Sequence, residues 1–141
     1  MVLKLMLVAL GAAGSIAVGS NLKVWTATLT AKDSSGVSGS ARIETIHDDS
    51  VKATVTLSGA APNTAIDWGI HSGKCSAPGA KLGEGATYQA VQADSTGSGS
   101  AMATLKLEMK SGTDYSVVVH GSAKDSVAAC GELKPGSDIP N

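Results

Sequence analysis

The chain has 141 residues, a formal net charge of −1, 17 glycines, two cysteines and no phenylalanine. That length holds one domain and a short extension, not two domains. The near-zero charge and the lack of any Lys/Arg cluster exclude a nucleic acid as an electrostatically held partner. Abundant Gly, Ser, Thr, Ala and Val with few charges point to an all-β fold with tight turns.

Residues 1–20 form an apolar segment whose only charge is Lys4. A short basic start, an apolar middle and small residues near its end read as a cleaved signal peptide. The same run, about 18 residues long, is also at the short end of what spans a bilayer as a helix. Gly11, Ser15 and Gly19 recur every fourth residue, a spacing that lets membrane helices pack closely. That spacing raises the retained-helix reading, with Lys4 on the inner side and the domain outside.

Residues 21–134 read as about eight strands at the regular spacing of a sandwich or barrel. Asn21–Ala31 is the first, with Trp25, Ala27 and Leu29 toward the core. Ser40–Ile46 and Val51–Ser58 are the next two, joined by the polar turn His47–Ser50. Thr64–His71 is the fourth. Its residues Ile66, Trp68 and Ile70 alternate with Asp67, Gly69 and His71, so His71 and Gly69 share the face opposite the core. Ser72–Gly85 is a loop rich in Gly, Lys, Ser and Pro, and Ala86–Ala93 is a strand. Ser100–Met109 is a strand whose alternation breaks between Met102 and Leu105, which predicts a bulge. Tyr115–His120 and Ser126–Leu133 complete the set, and residues 135–141 are a polar tail.

Two cysteines behind an apolar leader favour a disulfide and an oxidising compartment over buried free thiols. His71 and His120 are the candidate metal pair, because neutral imidazole is a good copper ligand and both end strands. Asp67 lies about 13 Å from His71 along its strand, too far to share an ion. His47, Asp48 and Asp49 read as a solvated turn. Glu44, Glu84, Glu108 and Glu132 are isolated, so no carboxylate pair for glycoside chemistry is present. No nucleophile elbow occurs in a strand–turn–helix context, and no glycine loop opens a helix to cradle phosphate.

The order His71-Ser-Gly-Lys-Cys75, a glycine-rich segment, Val118-Val-His120 and Ala129-Cys-Gly131 resembles the copper/zinc superoxide dismutase family. The resemblance runs from about Gly39 to Leu133. It implies an eight-stranded Greek-key β-sandwich or barrel with Cys75 bonded to Cys130. It also implies copper-binding histidines at positions 69, 71 and 120, of which the first is glycine here. The family's zinc-loop histidines have no counterparts, and its active-site arginine falls at Val127. The expectation is therefore a non-catalytic β-sandwich on the periplasmic or extracellular side, without a cofactor. It is tethered by its N-terminal helix as a structural or interaction subunit among other membrane proteins. The alternatives are a copper-binding metalloprotein of the same fold and a secreted surface or matrix module.

Overall fold

The computed structural model describes residues 23–32, 34–47, 49–83, 88–121 and 126–136. The expected helix of residues 1–20 with Gly11, Ser15 and Gly19 lies outside them, as do Asp48, Glu84 and residues 137–141. Among the described residues no helix is long and apolar enough to cross a membrane.

The described residues are all-β. The strands are β1 (Val24–Ala31), β2 (Ser38–His47), β3 (Ser50–Ser58), β4 (Ala65–Ile66), β5 (Trp68–Ser72), β6 (Val91–Gln92), β7 (Gly99–Lys106), β8 (Tyr115–His120), β9 (Val127–Glu132) and β10 (Lys134–Pro135). One curled antiparallel sheet runs β5-β8-β9-β1-β2-β3-β7, with β10 on β1, and β4 pairs β6 separately. Strand β1 joins the two halves. It pairs β2 along one edge, and on the other it meets β9 at Thr30–Ala31 and β10 at Trp25–Thr26.

Period-two burial explains the first half. Trp25, Ala27 and Leu29 of β1 and Val51, Ala53, Val55 and Leu57 of β3 all point into one core. Ile66, Trp68 and Ile70 join it from the other half, with Val117 and Val119 of β8. Two edge-to-face aromatic pairs stiffen it: Trp25 with Tyr115 at 5.5 Å and Trp68 with Tyr88 at 5.1 Å between ring centroids. This offset geometry suits the quadrupoles of the rings.

Three local expectations are corrected. The strand expected over Thr64–His71 is two pieces, because Ala65–Ile66 pairs β6 whereas Trp68–Ser72 pairs β8. The strand expected over Ala86–Ala93 is only Val91–Gln92 among the described residues. No bulge interrupts β7, which pairs β3 in unbroken register from Ser50–Lys106 to Leu57–Gly99. That register sets Ala103 opposite Ala53, so Ala103 and Leu105 are buried and Met102 points outward at 55% exposure. The irregularity in the alternation is therefore a large apolar residue on the solvent face.

Candidate functional site

The site lies on the outward face of β5, β8 and β9. A strap, residues 73–83, leaves the end of β5, crosses that face and returns along the free edge of β5. Gly73 opens it at φ +88°, a left-handed conformation that glycine adopts without a Cβ clash, and its N–H donates to the Asp114 carbonyl at 2.8 Å. On the return, Ser72 N–H donates to Ala80 O at 3.1 Å and Leu82 N–H to Ile70 O at 2.8 Å. Cys75 is bonded to Cys130 of β9, with Cα atoms 5.9 Å apart, and the Cys75 N–H donates to a Glu132 carboxylate oxygen at 3.4 Å. The strap is thus held near its start by the disulfide and along its return by backbone hydrogen bonds.

Strand register places the histidines. His71 pairs with Ser116, Gly69 with Val118, and the His120 N–H donates to Asp67 O at 2.8 Å. His71 and His120 therefore stand on a diagonal with position 69 between them. Their ring centroids are nevertheless only 5.9 Å apart. The two side chains lean toward each other across Gly69, which offers no side chain to keep them apart.

His71 Nδ1 lies 2.9 Å from Gly79 O. A carbonyl only accepts, so Nδ1 carries the proton and Nε2 of the neutral ring keeps a lone pair. That Nε2 is buried without a hydrogen-bond partner among the described residues.

Lys81 covers the gap. It forms an isolated antiparallel bridge with His71, and its stem crosses directly over Gly69. A Cβ at position 69 would collide with Lys81 Cε and press Cγ and Cδ at 3.1 and 3.2 Å. The ammonium sits 5.1 Å from the Tyr88 ring centroid, within range of a cation–π contact. Tyr88 is itself held firmly. Its hydroxyl donates to Leu82 O at 2.7 Å and accepts from Ile70 N–H at 3.2 Å, and its ring packs on Trp68, whose Nε1 donates to Gln89 O at 2.7 Å.

The electrostatics follow from this packing. Burial, then the Lys81 ammonium, then His71 push the His120 imidazole below its ordinary pKa, against the opposing pull of the Ser126 backbone and Asp67. Burial raises the Tyr88 phenol, partly offset by its hydrogen bond with Ile70.

The structure brings His71, His120, Cys75 and Cys130 onto one face, and no group of three metal-ligating side chains forms among the described residues. The donor set does not fit the copper that the family resemblance implies. Two imidazoles converge, the third position is a glycine, and the space a ligand there would use holds a lysine stem. Val127 pairs with His120 and brings no charge where the resemblance implies an arginine. His47 and Asp49 are exposed at the β2–β3 turn. Glu44 contacts Arg42 at 3.5 Å and Glu108 contacts Lys110 at 3.9 Å, as solvated pairs. Sequence reasoning missed Lys81 and Tyr88. The signal that pointed to them was Gly69, since a glycine inside a strand often marks the close approach of another group.

No protein-family model and no curated protein matches the chain.

Proposed function

We propose that this chain is a non-catalytic, eight-stranded Greek-key β-sandwich of the copper/zinc superoxide dismutase type. It works outside the cytoplasm as a structural or interaction subunit, tethered by its apolar residues 1–20. Support for the fold type comes from the strand order and the Cys75–Cys130 bridge. The same bridge supports an oxidising compartment. The observation that carries the loss of catalysis is the pair of imidazoles with the Lys81 stem between them at Gly69, with no third ligand among the described residues and no cationic residue at position 127 to draw in an anion. Tethering rests on the small-residue spacing of Gly11, Ser15 and Gly19.

Two measurements test the reading. Copper-treated protein is expected to consume superoxide no faster than free copper, and turnover abolished by His120→Ala would overturn the non-catalytic assignment. The full chain is expected to fractionate with membranes under mild detergent and to keep its N-terminus. A mature N-terminus near Ser15 or Ser20 would remove the tether.

A further inference from the structure

On the outward face of β5 and β8 two imidazoles converge, and what lies across the gap between them is a lysine stem. Position 69 stands between His71 and His120 on the register diagonal. The two rings close to 5.9 Å across it, and His71 Nε2 is buried without a hydrogen-bond partner among the described residues. A lone surface lysine would sweep freely through solvent. Lys81 is exposed too, but three features favour its place over Gly69. Its backbone bridges His71, its stem fills the space over Gly69, and its head rests on a tyrosine ring held by two hydrogen bonds and by packing on Trp68. The strap that delivers it is fastened by Cys75–Cys130.

We propose that Lys81 is a resident plug: its stem occupies the place of a third ligand at position 69, and its ammonium is the fixed cation beside which His71 and His120 are packed, so that metal ions are kept out. This rests on the reading of the chain as a non-catalytic relative of a metal-binding fold and adds the device that makes it so. The plug acts in two ways. The stem blocks a ligand side chain at 69 by contact, and the ammonium repels a divalent ion at the histidines. Among the described residues, Asp67, next to His120, is the carboxylate that works against this repulsion. It lies too far along the strand from His71 to serve as a shared ligand.

The test titrates Cu(II) and, separately, Zn(II) into four full-length proteins: native, Lys81→Ala, Gly69→His and Gly69→His/Lys81→Ala. Isothermal calorimetry reads affinity, and electron paramagnetic resonance counts nitrogen ligands on Cu(II). The native chain is expected to bind neither ion stoichiometrically at micromolar concentration. Lys81→Ala is expected to bind Cu(II) about tenfold more tightly than native. That is the size of one positive charge repelling a dication at about 6 Å under water-like screening. Gly69→His alone is expected to gain less than the double variant, because the Lys81 stem must move aside for the new ring. The double variant is expected to bind one equivalent with three nitrogens on the metal.

Equal affinity in Gly69→His with and without Lys81 would overturn the plug and leave the non-catalytic reading standing. Tight binding by the native chain, lost in His120→Ala, would also overturn the plug. Whether the non-catalytic reading falls with it is decided separately by superoxide turnover. If Gly69→His does not fold, the comparison of native with Lys81→Ala still decides, because unchanged affinity there removes the repulsion.

Discussion

The two halves of the sheet treat their outward faces oppositely. In β1-β2-β3-β7 the outward side is solvent. Thr28, Ser40, Thr56 and Ser100 pair across all four strands in one row of exposed hydroxyls. In β5-β8-β9 the outward residues Ser116, Val118 and Cys130 are buried, at 0%, 1% and 4% exposure. Yet Val118 and Ser116 stand outside the main core cluster. The strap and its disulfide give this half a second small interior on the face that the other half leaves wet. The backbone physics of the two halves is the same, and one loop makes the difference. Both histidines are half-buried at the border of that covered patch, and His71 bonds the loop itself at Gly79.

Cutting the fastening tests this contrast most severely. The Cys75–Cys130 bond closes a separation of 55 residues, which chain-entropy models value at about 4 kcal/mol. Cys75→Ala/Cys130→Ala is expected to lose that much in urea unfolding. Hydrogen exchange should rise in the strap and in β8 and β9 before it rises in β2 and β3. Uniform deprotection would show that the strap is no separate layer.

A matched pair of outward substitutions sharpens it. Val118→Thr places a hydroxyl in the covered face without a partner and is expected to cost about 1–3 kcal/mol. Thr56→Val, the mirror-image change on the wet face, is expected to stay within about 0.5 kcal/mol. Similar losses in chemical denaturation would erase the distinction between the two faces.

Ser116 gives a test of opposite sign. Its Oγ is buried with no hydrogen-bond partner among the described residues. Ser116→Ala removes a desolvated polar group and is expected to be neutral or to raise stability by up to about 1 kcal/mol. A clear loss of stability would mean that the hydroxyl has a partner in solution, such as a buried water.

The smallest effect is in pH. Burial, with Lys81 and His71, holds His120 below the ordinary histidine value. In that window the unfolded chain binds a proton that the folded chain refuses, so stability rises with pH. The contribution is complete above the ordinary value of about 6.5, and it is lost as the pH falls toward the lowered folded value. The native chain is expected to lose stability between pH 7 and 5 by more than His120→Gln does. Parallel curves for the two proteins would show that this imidazole is not the group responsible.

Legibility follows the same division. Trp25, Ala27 and Leu29, the alternating Val51–Leu57, and Ile66, Trp68 and Ile70 were all assigned to the core from period two, and all are there. The rule worked because each of these strands shows its core one face only. At Met102 the break in alternation predicts a bulge, whereas the strand is regular and the pairing of Ala53 with Ala103 sets its phase. Across Asp67 the phase held but strand continuity did not, because the chain there leaves one pairing partner for another. The site was half legible. His71, His120 and the two cysteines stood out by residue type, whereas Lys81 was one lysine in a polar loop.

The sequence by itself determined what depends on neighbours along the chain: strand periodicity, turn positions, and the outward placement of His71 and Gly69 on one strand. Only the tertiary structure decided that His71 and His120 meet across Gly69, that Ser116 and Val118 are buried on the outward side, and that Lys81 lies over the gap. Each of these contacts joins segments that lie far apart in the chain or on opposite sides of a loop. They exist because strand order, one disulfide and one turn at Gly73 bring the strap back over the sheet, and residue spacing along a single strand does not encode that return.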